Sequence, residues 1–466
     1  MSNMKRIKYL VAGILLTVTT LNGMAQTSKS AYFMDGTYHN YMLNPAMGAE
    51  RGYFTLLTGN LSFAVNSNVG LSNFIYPYGD DKLTTFMSGS VSQQEFLGSL
   101  PKSIRLSTDI DMTLFGFGFR MFGGYTNVSL GLHSSLSTNL PKGFFEFAKK
   151  GLGQSAYSFS DINMRTMEYA ALTIGHSREI IDGLRIGVNA KYLLGLAYAN
   201  VHVDKLNVEL SEERWMVESH AKAEAALGVE ARLEADEEGM VANVSSPVLD
   251  DISTLAPAAK GFAFDLGAVY DMSEFVDGLT VSASVVDLGR INWQYMMKAS
   301  TRDTKLVFDG FSELDPNDIE GGINKEFEQL GEDAMTMINL YADDMSVGST
   351  PLGATMYLGA EYNMPFYRPL SAAVLYGKRF GKFGGWDDVK GYINIAPVKW
   401  LEASVNAGYS TFGTSWGWMF NFHPAGLNLF VGSDYMITKV SPQFIPVNNL
   451  NAHLTIGMNL TLGKRK

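Results

Sequence analysis

Residues 400–410 read WLEASVNAGYS, and this stretch decides the fold. Its apolar side chains and its polar or small side chains alternate strictly along the chain. One face carries Leu401, Ala403, Val405, Ala407 and Tyr409, and the other carries Glu402, Ser404, Asn406, Gly408 and Ser410. A period of two residues predicts a β-strand with one apolar face.

The same alternation recurs at residues 184–194 and 454–462. A soluble β-sandwich also alternates, with its apolar face turned onto a core. The beginning of the chain favours a membrane barrel over a sandwich. Basic residues at 5–8 precede an apolar run at 9–21, and Gly23, Met24 and Ala25 follow. This pattern predicts a secretory signal peptide at residues 1–25, cleaved before Gln26.

A retained membrane helix is the alternative for this segment. A spanning helix needs about 20 apolar residues, so the run at 9–21 is too short. A cleaved signal peptide together with barrel-type strands predicts a location in the outer membrane of a Gram-negative bacterium.

Composition limits the function. The chain has 466 residues, 46% of them hydrophobic and 18% charged, which suits one large barrel or two to three soluble domains. It contains no cysteine, which excludes thiol catalysis and thiolate metal sites. A net charge of −11 argues against nucleic acid as a partner. No cofactor is expected.

Turn signals divide residues 53–466 into about 14 strands, an even number as single-chain bacterial barrels require. A loop hairpin that joined the wall would make 16. Short connections alternate with long ones, and Glu179, Asp182, Gly183 and Leu184 recur as Glu274, Asp277, Gly278 and Leu279. The short turns therefore share one rim, predicted to be periplasmic with both termini.

Two large acidic surface loops are predicted, at about 200–260 and 290–352. Between residues 301 and 350 there are 12 Asp and Glu against three Lys and Arg. The stretch at 201–250 has the composition of a partly helical segment. Within the second loop, residues 323–342 have apolar positions near helical spacing.

In a barrel the apolar face contacts lipid and the polar face lines the lumen. The predicted lumen-facing candidates are Arg120, Arg185, Lys191, Glu361, Glu402, Asn406 and Asn459. Their charges of both signs favour a salt-bridged network that stiffens the interior. A substrate path is the alternative interpretation.

The pattern resembles two groups of outer-membrane proteins. A signal peptide, then Asn44, Pro45 and Ala46 ahead of the first strand, then 14 strands, is similar to the FadL-type transporters of hydrophobic compounds. That resemblance implies that these three residues lie in an N-terminal plug. Residues 26–52 are accordingly predicted to form this plug or a periplasmic segment. The stretches AYFMDG at 31–36, LNPA at 43–46, RGY at 51–53, VNSNVGL at 65–71 and DLGRINW at 287–293 resemble a Bacteroidota outer-membrane barrel family of unassigned function.

Catalytic and metal patterns are weak. Gly413, Ser415 and Gly417 match the Gly-x-Ser-x-Gly pattern, but in a strand-to-strand turn rather than the required strand-to-helix turn. The seven histidines lack metal-ligand spacing. Oxygen donors at residues 315–320 do not match a calcium loop. The chain is expected not to be an enzyme.

Two functional hypotheses follow. The first is passive uptake of a small hydrophobic or amphipathic compound, with the plug inside the lumen as in the FadL-type family that the chain resembles. The second is a non-transporting barrel that acts as a scaffold, adhesin or secretion accessory and binds a surface or periplasmic protein through its acidic loops. Outer-membrane lipid is a partner under both.

Overall fold

The computed structural model describes residues 28–49, 51–56, 59–78, 82–150, 156–210, 215–227, 232–237, 239–245, 257, 259–302, 305–308, 340–343, 345–381, 384–436 and 451–463. Three predictions lie wholly or mostly outside these residues: the signal peptide at 1–25, the oxygen donors at 315–320 and the short helix at 323–342.

Fourteen antiparallel strands close into one barrel, which confirms the predicted all-β fold and strand number. They are β1 (Gly52–Leu56 and Leu61–Ser67), β2 (Ser103–Met121), β3 (Gly124–Pro141), β4 (Ile162–Ile181), β5 (Leu184–Leu210), β6 (Ala259–Asp271), β7 (Leu279–Ser300), β8 (Thr355–Asn363), β9 (Leu370–Arg379), β10 (Trp386–Val398), β11 (Leu401–Ser410), β12 (Gly413–Phe422), β13 (Leu427–Ser433) and β14 (Ala452–Leu462). Each strand pairs with its sequence neighbours, and β1 pairs with β14, Gly52 opposite Leu462, to close the barrel.

Alternation places apolar side chains outside and polar or small ones inside. On β14 every second residue is buried, and the residues between them are exposed. The outward belt of large exposed apolar side chains includes Leu172, Ile174, Ile186, Val188, Phe262, Phe264, Leu266, Leu358, Val374, Val389, Ile393, Val405, Trp416, Phe420, Leu429, Leu454, Ile456, Met458 and Leu460. Such a belt is the physical signature of a barrel that spans a bilayer.

Tight turns join the strands at one rim. Gly123, Gly183, Gly278 and Gly426 have φ angles of +73°, +75°, +81° and +85°, a region that favours glycine. The two repeated Glu-x-x-Asp-Gly-Leu segments both lie at this rim. Leu462, at the end of β14, lies there as well. We call it the short-turn rim.

β1 is interrupted between Leu56 and Leu61. From the pair Phe54–Leu460 to the pair Leu61–Ile456, β1 advances by seven residues and β14 by four. Two hydrogen bonds bridge the interruption, from Thr113 N to Asn60 O (2.9 Å) and from Thr55 Oγ1 to Met458 O (3.2 Å). The wall strand is therefore kinked but remains tied to both neighbours.

Further strands extend the sheet beyond the wall, at the end opposite the short-turn rim. Strand Trp215–Leu227 pairs with the outer part of β5 and with β7. Shorter strands are Ala156–Phe159, Lys305–Phe308, Tyr341–Ala342 and Ser346–Pro351 in the same sheet, and the separate hairpins Ile75–Tyr78 with Lys82–Thr85 and Arg232–Ala235 with Val241–Ser245. The outer part of β5 and strand Trp215–Leu227 form a hairpin that lies outside the wall, so the wall keeps 14 strands.

The partly helical interpretation of residues 201–250 is therefore wrong for the residues that the structure describes. These residues form strands. Above the bilayer both faces of a sheet contact water, so the apolar and polar alternation that identifies a wall strand is weak there. Glu and Ala, which both favour helices, are then among the commonest residues and imitate a helix.

Two short α-helices, α1 (Gln93–Ser99) and α2 (Lys142–Lys150), lie in loops beyond the same end of the barrel. Phe96 of α1 is fully buried in a small apolar cluster with Val69, Leu100 and Ile104. The 3-10 helices are Lys29–Ala31, Asn40–Met42 and Leu71–Asn73. No helix in the described ranges is long and apolar enough to cross a membrane.

Candidate functional site in the barrel lumen

Residues 28–49, which we call the lumenal segment, lie inside the barrel. Asn44 is fully buried and anchors the middle of the segment. Its Nδ2 donates to Tyr32 Oη (3.2 Å) and to Ala268 O on β6 (3.3 Å), and its Oδ1 accepts from Ala46 N (3.0 Å). The asparagine side chain therefore both folds the local turn and fixes it to the wall.

Two wall glycines make room for this turn. A Cβ on Gly187 of β5 would lie well under 3.0 Å from Pro45 O, and one on Gly267 of β6 would lie equally close to Asn44 Oδ1. Any other residue at these positions would collide with the segment. The two glycines therefore leave space at the wall for Asn44, Pro45 and Ala46.

The start of the segment is fixed by one buried carboxylate. Asp434, directly after β13, accepts from Lys29 N (2.7 Å), Ser30 N (2.8 Å), Ser30 Oγ (2.5 Å) and Ser28 Oγ (3.1 Å). Lys29 Nζ also lies 2.6 Å from Asp388 Oδ2 of β10 and over the ring of Trp386. Multiple donors stabilise a buried carboxylate that would otherwise be costly to desolvate.

Further contacts hold the remainder. Glu402 of β11 accepts from Gly36 N (3.0 Å), and Asn406 donates to Ser30 Oγ (2.6 Å). Tyr41 O accepts from Asn189 of β5 (3.2 Å), and Leu43 O accepts from Ser284 of β7 (2.6 Å). The segment is thus held to most of the wall by non-covalent polar contacts.

Among the residues that the structure describes, three adjoining cavities lie above the segment. The inner cavity, about 110 Å³, has Tyr41, Met42 and Leu43 in its lining. The mouth cavity, about 620 Å³, and the side cavity, about 410 Å³, open towards the long-loop end. Arg379 of β9 lines all three. The lumen is therefore a vestibule that ends at the lumenal segment.

Charged side chains cross and line this vestibule. Arg379 Nη1 lies 3.1 Å from Asp109 Oδ1 of β2, across the lumen from β9. Lys191 Nζ lies 2.9 Å from Asp265 Oδ1 and 2.7 Å from Asp287 Oδ1. The Asp109–Arg379 pair separates the inner cavity from the two outer ones.

The structure brings five of the seven predicted lumen-facing residues into the interior. Glu402 and Asn406 contact the segment, and Lys191 lines the inner cavity. Glu361 accepts from Ser371 Oγ (2.6 Å), and Asn459 donates to Asn428 Oδ1 (2.8 Å). Arg120 and Arg185 are instead exposed, near the short-turn rim. A functional role for any of the seven stays a prediction.

Sequence reasoning missed Asp434, Asp388, Asp109, Asp265, Asp287 and Arg379. A usable signal exists for Asp265, since Phe262, Phe264 and Leu266 mark the outward face and leave the aspartate on the small-residue face. Within the described ranges no group of three or more His, Asp and Glu is arranged to hold a metal ion.

Fold and lumen together define a membrane-spanning β-barrel whose interior contains its own residues 28–49. The sequence matches the model of a family of unknown function (DUF5723) over residues 45–434, and the chain belongs to this family. This confirms the predicted relationship to a family of unassigned function.

Similar solved structures include three channels or transporters. They are CymD, a monoaromatic hydrocarbon channel (8% identity, 96% of this chain and 99% of that chain covered, TM-score 0.43), the toluene transporter TodX of Pseudomonas putida (7%, 95% and 96%, 0.39) and a FadL homologue of Pseudomonas aeruginosa (9%, 94% and 98%, 0.39). No curated protein sequence matches the chain. At these identities and TM-scores, the similarities carry no argument about a substrate.

Proposed function

We propose that this barrel lies in the outer membrane and takes up a small amphipathic compound passively. The short-turn rim faces the periplasm, and the long loops face the medium. One observation carries the proposal: three adjoining cavities lead from the outer mouth to the lumenal segment and share Arg379.

The elements that close the path are held by non-covalent contacts alone. The Asp109–Arg379 pair is one side-chain contact, and the lumenal segment is held by hydrogen bonds and ion pairs along its length. Displacing them opens the lumen without breaking a wall strand. The kink in β1 lies beside the segment. His39 of the segment stacks on Phe430 of β13. Phe430 and the kink's Gly59 O both lie close to Gly457 of β14.

The lining favours an amphipathic over a purely hydrophobic compound. The mouth and inner cavities carry charged groups of both signs, whereas the side cavity also offers Met167, Leu352 and Phe380. A polar head group therefore finds partners along the whole path, and an apolar body finds them in the side cavity.

A reversible lock tests the proposal. The chain contains no cysteine, so a Ser30→Cys/Asn406→Cys pair can be joined without competing thiols. Ser30 Oγ and Asn406 Nδ2 lie 2.6 Å apart, which brings the two side chains within reach of a disulfide formed with an added oxidant, or of a short thiol-reactive bis(methanethiosulfonate) crosslinker. We expect proteoliposomes with the reduced variant to take up octane-1-sulfonate or octyltrimethylammonium, whose permanent charges slow passage through lipid, and uptake to fall several-fold on crosslinking and return on reduction.

The matched control is an Asn394→Cys/Ser404→Cys pair, which joins neighbouring positions of β10 and β11 and leaves the segment free. Equal uptake by the locked and reduced Ser30/Asn406 variant would overturn the segment as gate. Absence of uptake for every probe, together with capture of a specific protein by the long loops, would favour the scaffold hypothesis instead.

A further inference from the structure

The side cavity contains two guanidinium groups at one end. Arg165 Nη2 of β4 donates to Pro351 O (2.8 Å), and Arg379 Nη2 donates to Leu352 O (3.2 Å). Because these carbonyls belong to consecutive residues, the two cations are held close together. Like charges at such proximity repel each other unless an anion lies between them.

The nearby carboxylates act mainly on one member of this pair. Asp109 contacts Arg379 and accepts from Ser107 Oγ (3.0 Å), and Asp287 also attracts the Arg379 charge from a distance. None of the described carboxylates lies within 4.0 Å of Arg165. Glu224 attracts the Arg165 charge from a distance without contacting it, and its Oε1 lies 4.0 Å from Lys298 Nζ. Of the two guanidinium groups, only that of Arg379 is therefore in direct contact with a described carboxylate.

The remainder of the cavity carries apolar side chains. Met167, Leu352, Ala354 and Phe380 contribute to its lining, and Ser135 and Ser137 of β3 lie beside Met167 and Arg165 of β4. Its volume of about 410 Å³ has room for roughly ten to fifteen water-sized groups. An apolar body of that size fits beside the guanidinium pair.

We propose that the side cavity binds a small amphipathic oxyanion, its carboxylate or sulfonate head held by Arg165 and Arg379 and its apolar body lying against Met167 and Leu352. Guanidinium groups suit such head groups because their N–H donors lie in one plane and can bind two oxygens of the anion at once. This site rests on the proposed uptake function, because it names the class of compound that the path would carry. Binding is nevertheless measured apart from transport.

The test uses the full-length mature protein in nanodiscs of zwitterionic lipid, with empty nanodiscs as the blank. Calorimetric titrations with octanoate, octane-1-sulfonate, octan-1-ol and octylammonium compare heads on one chain length. We expect the two anions to bind at least tenfold more tightly than the alcohol or the cation. Equal affinities for all four compounds would overturn the proposal.

Variants locate the binding. Arg165→Gln and Arg379→Gln are each expected to weaken anion binding about tenfold, and Arg165→Lys to weaken it less. Arg368→Gln removes the same charge at the short-turn rim, where Arg368 pairs with exposed Asp277, and should change nothing. Asp109→Asn removes the competing carboxylate and should tighten anion binding, whereas simple loss of structure would weaken it.

The two proposals fail separately. Anion binding that needs Arg165, in a protein that transports nothing, would retain this site and overturn the uptake function. Uptake of octane-1-sulfonate and octyltrimethylammonium at equal rates, unaffected by Arg165→Gln, would retain uptake and overturn the oxyanion site.

Discussion

At the scale of single residues, two glycines and one asparagine determine how closely the lumenal segment approaches the wall. Gly187 and Gly267 present bare backbone to Pro45 and Asn44, and Asn44 uses both ends of its amide. Side-chain size at the wall therefore controls the seating of the segment more directly than charge does.

Gly187→Ala tests this control. The added Cβ collides with Pro45 O, so we expect residues 40–48 to exchange amide hydrogens faster while the barrel still shows its heat-dependent shift on gels. Gly391→Ala is the control, because a Cβ there meets nothing nearer than 4.0 Å. Identical exchange in the two variants would contradict the collision.

The residues that hold the segment were only partly predictable. Alternation assigns Glu402 and Asn406 to the inward face, and the Asn-Pro-Ala motif indicates the segment. Asp109 and Arg379 are 270 positions apart on opposite sides of the lumen, and Asp434 is 404 from Ser30. No local pattern encodes such pairs, since they exist only once the barrel has closed.

At the scale of elements, the wall strands were predictable because lipid on one face imposes a period of two residues. The outer extension of β5 was not, because water contacts both of its faces. The extension also contributes nothing to the outward belt, so the wall should not depend on it.

Removal of residues 204–220 tests that independence. Val203 and Ala221 pair directly, so an Asn-Gly turn between them restores a two-residue hairpin. We expect the shortened protein to assemble and to resist unfolding by detergent at room temperature like the full chain. Removal of the β12–β13 hairpin, residues 413–433, should abolish assembly, and equal failure of both deletions would show that the extension is needed.

At the scale of the whole molecule, the Asp109–Arg379 pair ties opposite sides of the barrel. Its side chains are 11% and 24% exposed, so breaking it leaves a largely desolvated charge. Interior ties of this kind resist deformation of a closed sheet in a way that neighbouring strand pairs cannot.

Arg379→Gln should therefore lower the free energy of unfolding by about 2 kcal/mol, measured by urea titration in detergent micelles. Arg368→Gln removes the exposed pair with Asp277, also an arginine and an aspartate, and should leave the urea midpoint unchanged. A larger effect at Arg368 than at Arg379 would contradict the cross-lumen tie.

The contact between Ser28 and Asp434 also dictates an order of assembly. The two residues are separated by 406 positions, and Asp434 lies between the last two strands of the wall. Residues 28–30 therefore cannot complete their native contacts until the chain as far as Asp434 has been made and placed. Docking of these residues is for that reason a late event in folding, since it needs contacts between positions more than 400 apart.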